Sequence, residues 1–300
     1  MQNFEAIESF FKSRDIFYEK DVNMKNNTSF KIGGICKFVC YPNSISKIVD
    51  AIKFCTSLKI PYFFLGNGSN LLFSDEGFYG VAICSKKLNK INVLSNNRVY
   101  CEAGVLLYSL CRFCAVHCFS NLEPLYGIPG SLGGAIFMNA GAYNSEIKDV
   151  LQSVVSVDIN GNVFEFNIKD IYFSYRNSAY QNNGHFIFAA VLKFENESLD
   201  YINKKMQYFL NKRIASQPLN FPSAGSAFKR PKFYFAAKLI EECGLKGLTV
   251  GGAKVSEKHC GFIINIGGAS CLDVKNLIKK IQKTVSLKKS VDLTPEIKFI

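Results

Sequence analysis

Two glycine-rich stretches dominate the chemistry this chain could do. Residues 127–144 read GIPGSLGGAIFMNAGAYN, with Gly127, Gly130, Gly133, Gly134 and Gly141 inside fifteen positions. Glycines at that density let backbone N–H groups approach a ligand and converge on phosphate oxygens. A second loop, Leu65 through Leu72 (LGNGSNLL), has the same character between two apolar runs. Two such loops predict a long ligand with a diphosphate in its middle, and a dinucleotide fits. A Rossmann domain would want G-x-G-x-x-G opening a helix, with an acid ~20 residues further on. Gly66-Asn67-Gly68 has no third glycine at that spacing, and 127–134 runs Gly-x-x-Gly-x-x-Gly-Gly. The dinucleotide is therefore expected on two separated loops rather than on one helix N-terminus.

The cysteines offer a second candidate chemistry. There are eleven, the tightest cluster being Cys111, Cys114 and Cys118 with His117 beside it. They fall at i, i+3 and i+7, in line with Leu107, Leu110 and Ala115, and so form one stripe of a helix. A metal site would need a fourth ligand in reach and usually a loop at its CxxC. A buried apolar stripe of reduced thiols is the expectation, and no metal is expected. The first residues, MQNFEAIESFFKSRD, carry acids and lack an apolar core, which argues against a signal peptide. No apolar run approaches the ~18 residues of a membrane span. A soluble, cytoplasmic protein without membrane insertion is expected.

The chain's 300 residues, 48% of them hydrophobic, can bury a full core and predict two domains. Its charge is unevenly placed. Residues 1–200 hold 18 basic and 18 acidic side chains, whereas 201–300 hold 18 basic against 6 acidic, so the whole excess of +12 lies in the last third. A neutral domain over 1–200 and a basic one over 201–300 are expected, the second favouring an anionic partner. No aromatic-flanked basic run points to nucleic acid.

The elements that must position these groups alternate irregularly. Strands are predicted at 35–41, 61–65, 81–84, 99–103 and 187–194, with a helix capped by Ser44 and the cysteine-bearing helix from about Val105. Residues 154–166 predict a hairpin with a type I′ turn at Asn160-Gly161. Helices follow at 199–213 and 234–243, and Ser270 with Asp273 gives a capping box for a last helix. The chain ends in a predicted strand, 296–300. With an antiparallel hairpin among such elements the fold class is α+β.

Seven segments, the two glycine-rich loops among them, carry a resemblance. They are NTSFKIGG at 27–34, the 65–72 and 127–144 loops, SYRNS at 174–178, 217–231, 250–265 and PEIKFI at 295–300. In this order, over nearly the whole length, the chain resembles the UDP-N-acetylenolpyruvoylglucosamine reductases (UDP-N-acetylmuramate dehydrogenases, or MurB) of peptidoglycan synthesis. The resemblance implies an FAD-binding domain of the vanillyl-alcohol-oxidase (PCMH-like) type in two α+β subdomains, followed by an α+β substrate domain. It implies non-covalent FAD, NADPH as cosubstrate and the enolpyruvyl ether of UDP-N-acetylglucosamine as substrate. FAD would contact Gly66, Asn67, Gly68, Ser69, Asn70, Leu71, Gly127, Ile128, Pro129, Gly130, Ser131, Gly133, Gly134, Asn139, Gly141 and Ala142.

The family's catalytic arginine, serine and glutamate match Arg176, Ser226 and Glu296. By resemblance Arg176 stabilises charge that develops when hydride reaches the enolpyruvyl C3, Glu296 polarises the acid group or supplies a proton, and Ser226 protonates C2. Tyr175, Arg213, Lys229 and Arg230 are candidates for substrate contacts, and a monomer is expected. His259 stays open between a structural and a site role. The short path from Arg176 to Ser226 leaves little room for the tyrosine-bearing loop of the family's longer type, so the shorter type is the match. Two rivals stand beside this reading: a sugar or lactone oxidase of the same fold, and a polyanion-binding protein that carries no flavin.

Overall fold

The computed structural model describes residues 4–300, which divide into two compact units. Unit 1 comprises the chain up to Lys20, Lys37–Asn67 and Tyr79–Asn211; unit 2 comprises Asp21–Cys36, Gly68–Phe78 and Lys212–Ile300. The division thus falls within a helix near 211 rather than at 200, and two early segments belong with the C-terminal part. A charge count along the sequence does not register these crossings. By the units as they form, unit 2 holds 18 basic and 9 acidic residues.

Unit 1 has two hydrophobic cores. In the first, α1 (Phe4–Ser13) and α2 (Ile45–Ser57) bury Ile7, Phe11, Ile48 and Ile52 with Phe38 and Ile83. The Phe10 and Phe54 rings stack at 3.9 Å between centroids. Ser44 caps α2 as expected, its hydroxyl accepting from the Lys47 N–H. Here the strands run in the order 17–23, 35–41, 78–84, 62–65, the last pair parallel. The second core lies on a five-stranded antiparallel sheet, ordered 163–167, 151–157, 186–193, 98–102, 91–94. It takes in α3 (Leu107–Val116) and α4 (Leu132–Met138).

Two local expectations are corrected here. Cys111 and Cys114 are buried in the second core, but α3 ends at Val116, and Cys118 lies beyond it, exposed and with φ of 58°. Burial raises the Cys114 thiol above its ordinary pKa and keeps it protonated. Among the described residues no group of three or more His, Cys, Asp or Glu side chains stands where it could hold a metal ion. The hairpin at 157–163 forms, but not with a type I′ turn. Only Gly161 has a positive φ (79°), and the Asp158 carboxylate accepts from the N–H groups of Asn160 and Asn162. That side chain stabilises a type I turn followed by a left-handed glycine. Turns with two successive positive φ angles stand instead at Tyr143-Asn144 (53° and 63°), joining strands 141–142 and 145–146, and at Asn96-Asn97 (60° and 55°), between strands 91–94 and 98–102.

The helix α5 (Leu199–Ser216) carries the chain from unit 1 into unit 2. Unit 2 is built on an antiparallel sheet ordered 223–226, 262–265, 253–255, 249–250. Against it α6 (Ala236–Glu242) and α7 (Cys271–Lys289) bury Leu239, Ile240, Leu277, Ile278 and Ile281 with Phe228 and Ile263. The expected terminal strand shortens to Lys298–Phe299, parallel to Leu71–Leu72, so Glu296 precedes it on an irregular segment. No described helix is long and apolar enough to cross a membrane.

The start of α7 is closed on three sides. Ser270 and Asp273 form the expected capping box, Asp273 also accepts from the Gly252 N–H at 3.2 Å, and Asp75 accepts from the Cys271 N–H at 2.7 Å. The N–H of Ser270 on the Asp273 carboxylate leads the effects that hold its pKa below the ordinary aspartate range. Replacing Asp273 with alanine is expected to cost about 1 kcal/mol, read from urea unfolding. A depressed folded pKa puts this contribution in place above about pH 4 and removes it as pH falls through the folded value. The difference between the two proteins should therefore shrink on acidification.

Candidate active site

Gly66 and Asn67, which open the first glycine loop, meet the second loop within unit 1. A Cβ on Gly66 would stand 2.7 Å from Ser131 Oγ, and the Asn67 amide donates to the Pro129 carbonyl at 2.6 Å. Ser131 caps α4, its hydroxyl accepting from Gly134 N–H at 3.4 Å. The next two amides are already engaged: Leu132 donates to Val105 O and Gly133 to Ala103 O, both at 2.8 Å. Several of these glycines make close contacts within the protein. Gly133 lies against Ala103, and a Cβ on Gly141 would meet Ser145 O at 2.4 Å.

The 65–72 loop differs in this respect. Among the described residues, the backbone N–H groups of Asn67, Gly68, Ser69 and Asn70 donate to no protein acceptor. Gly68 has φ of 65°, and a Cβ there would lie 2.2 Å from Asn27 O, so no other residue can take its place without moving the chain. Neither this loop nor residues 127–142, which include Ile128, Gly130 and Ala142, contains a charged side chain. Successive unpaired amides on an uncharged loop form a donor set for phosphate oxygens.

Arg176 occupies the turn of a small hairpin, Phe173–Ser174 paired with Asn177–Ser178. Its φ of 54° makes this a type II turn with arginine where glycine or asparagine is preferred. Such strain persists only where the surroundings hold it. Here the Asn139 amide donates to Ser174 O at 3.0 Å, Ser178 Oγ to Phe137 O at 2.8 Å, and Arg176 Nη2 to Gly141 O at 2.7 Å. Asn139 is itself buried at the left-handed end of α4 and donates to Glu146 at 2.8 Å. The guanidinium lies 4.9 Å from the ring centre of half-exposed Tyr175.

In unit 2 the serine and glutamate segments run side by side. Ser226 ends a strand whose register shifts between Ser223 and Ser226, with Gly225 at φ of 76°. Its hydroxyl reaches Phe228 O at 3.4 Å. Glu296 N–H donates to Ala227 O and Lys229 N–H to Thr294 O, both at 2.9 Å, which fixes 226–229 against 294–296. The Asn70 side chain, expected at the cofactor, donates to Glu296 O at 3.2 Å. Lys298 joins this group: burial, then neighbouring Lys229, lower its pKa, and Glu296 opposes them. Reading of the sequence missed Lys298, although Glu296 and Lys298 stand two apart and so share a face of an extended segment.

The other candidates are more dispersed. Arg213 is buried in the last turns of α5, and Arg230 places its guanidinium 4.7 Å from the Phe235 ring centre in an exposed stretch. The His259 ring accepts from the Gly261 N–H at 3.1 Å and packs edge-on to Phe262, and burial lowers its pKa. Those contacts hold the ring in place.

Comparison with known proteins connects both halves. The family described as "FAD binding domain" matches residues 36–167, and "UDP-N-acetylenolpyruvoylglucosamine reductase, C-terminal domain" matches 217–300. The UDP-N-acetylenolpyruvoylglucosamine reductase of Caldanaerobacter subterraneus subsp. tengcongensis is 46% identical over 277 residues, covering 92% of this chain and 91% of its own. That of Clostridium novyi is 43% identical, covering 98% and 95%. The crystal structure of UDP-N-acetylenolpyruvylglucosamine reductase from Thermus caldophilus matches with a TM-score of 0.82 at 32% identity, covering 95% of this chain and 99% of its own. At such identity over nearly its full length, the chain belongs to the UDP-N-acetylenolpyruvoylglucosamine reductase family.

Proposed function

We propose that this protein reduces UDP-N-acetylglucosamine enolpyruvate to UDP-N-acetylmuramate in peptidoglycan precursor synthesis, using FAD and taking hydride from NADPH. The near-full-length relationship to proteins of that name carries the reading. The residues present fit FAD. The unpaired amides of 67–70 suit its diphosphate, and no acid in either loop opposes it. With no histidine in 65–72 and no cysteine in 127–144, the flavin is held without a covalent bond. Bound flavin supplies the hydride relay between NADPH and the substrate, chemistry that belongs to the cofactor.

The chain's own residues provide charge and a proton. Hydride addition at the enolpyruvyl C3 leaves negative charge on C2 and, by delocalisation, on the carboxylate. Arg176 offsets that charge, Glu296 polarises the acid group, and Ser226 gives its hydroxyl proton to C2. A serine hydroxyl is a weak acid in water, but an enolate-like carbon is a strong enough base to take its proton. Lys229, and Arg230 with Arg213 and Tyr175, are proposed contacts for the nucleotide phosphates or carboxylate of the anionic substrates. A cytoplasmic monomer serving cell-wall growth, and through it cell shape and division, completes the reading.

The test is the anaerobic flavin spectrum. NADPH should bleach it, and the enolpyruvyl UDP-sugar should restore the colour. Bleaching without recovery would point to another acceptor, and a protein that cannot be reconstituted with FAD would overturn the reading of both loops. Within the same assay Gly68→Ala is expected to weaken FAD binding at least tenfold, since it adds left-handed strain of about 1–2 kcal/mol to a backbone clash. Flavin fluorescence titration reads that directly.

A further inference from the structure

Gln181 lies five residues beyond Arg176, on a 3₁₀ turn that follows the arginine hairpin. Its side-chain amide has two N–H donors. It donates to Arg176 O at 3.1 Å and to Phe137 O, near the end of α4, at 3.0 Å. The helix end does not by itself require this arrangement, because Phe137 O already accepts from Ser178 Oγ at 2.8 Å. What Gln181 adds is the tie to Arg176. The turn's two flanking carbonyls are then each fixed by an amide side chain: Ser174 O by Asn139 and Arg176 O by Gln181. Together they hold the peptide groups that bracket the two-residue turn, one before Tyr175 and one after Arg176, whose φ of 54° is unfavourable for arginine. With that backbone fixed, the guanidinium sits on Gly141 O at 2.7 Å, within the glycine run.

We propose that Gln181 is a positioning residue for Arg176, clamping the strained turn to α4 so that the guanidinium is preorganised before substrate arrives. The proposal rests on the reading of Arg176 as the group that stabilises charge in the second half-reaction. Gln181 touches no reacting atom. Its effect passes through the arginine, and it belongs to the half-reaction that needs the arginine.

The experiment compares Gln181→Met, Gln181→Lys, Arg176→Lys and the Met/Lys double variant in the full-length FAD-loaded protein. Methionine keeps the shape of glutamine and loses the donors; lysine keeps donors that can reach the same carbonyls. Rapid mixing measures bleaching by NADPH and, separately, recovery of colour with enolpyruvyl UDP-sugar in the pre-reduced enzyme. Gln181→Met should leave bleaching and the FAD dissociation constant unchanged while slowing recovery roughly ten- to hundredfold, the scale of a misplaced catalytic group. Gln181→Lys should restore recovery close to the parent rate. In the Arg176→Lys background the methionine change should add little, because the geometry it disturbs is already lost. Parent-like recovery in Gln181→Met, or multiplicative losses in the double variant, would overturn the proposal while leaving Arg176's role standing. If Gln181→Met does not fold, a lysine variant that folds but recovers slowly overturns it equally. Arg176→Lys with undiminished recovery would instead remove the reading of Arg176, and the proposal with it.

Discussion

Ser226→Ala should leave bleaching of the flavin by NADPH within about twofold of the parent and slow recovery by the enolpyruvyl substrate by roughly 10²–10⁴, the range for loss of a general acid. The split follows from where the hydroxyl sits. Its protein contact is a long 3.4 Å approach to Phe228 O, so alanine costs the fold little. The backbone around it is fixed independently, by the 226–229 alignment against 294–296 and by the left-handed Gly225. On the proposed reading, alanine removes the proton that the second half-reaction delivers to carbon. Ser226→Cys keeps a proton of lower ordinary pKa at the same position and should recover part of the lost rate. Equal losses in both half-reactions would mean that the serine shapes the cofactor site instead, and the proton-donor role would fall.

How much of this could be read from the sequence depends on how local each signal is. Caps and short apolar runs were legible: Ser44 opens α2, Ser270 with Asp273 opens α7, and 35–41 is a strand to the residue. Turn types were less so, because they turn on single side chains. The Asp158 carboxylate outweighs the Asn-Gly preference at 160–161, while Tyr143 accepts a left-handed φ where its ring stacks on Phe209 at 4.8 Å. The glycine-rich loops were legible as loops, but not which of their glycines the fold itself requires. Gly66, Gly133 and Gly141 are small because protein atoms crowd them, a property that depends on residues far away in the chain. The unpaired amides of 67–70 carry no residue-type signature beyond glycine.

The division into units was hidden for a different reason. Segments 21–36 and 68–78 join unit 2 through contacts distant in sequence. The Asn265 amide donates to Phe30 O at 3.2 Å, and Asp75 accepts from the Cys271 N–H. A change in composition at residue 200 cannot reveal such pairings. Lys298 was missed because a lone lysine beside an aromatic resembles an ordinary edge residue. Its significance lies in Lys229 and Glu296 standing next to it, and only the folded chain supplies that.

Arg176→Ala is the second change expected to act strongly and selectively. On the proposed reading, the charge on C2 and the substrate carboxylate exists only once hydride has arrived, so Arg176 would stabilise the transition state more than the bound substrate. Removing one such preorganised donor typically costs 10²–10³ in rate, about 2.7–4 kcal/mol, and the loss should fall on kcat for recovery rather than on bleaching. The structure gives a reason to expect little compensating damage to the fold. The guanidinium donates to Gly141 O, and Asn139, Ser178 and Gln181 hold the hairpin through its backbone and neighbours without it. Arg176→Gly sharpens the test, because glycine relieves the left-handed strain at φ of 54° while deleting the charge. It should therefore melt no lower than Arg176→Ala and recover colour no faster. A glycine variant that is both more stable and active would show that backbone shape, not charge, is what position 176 contributes.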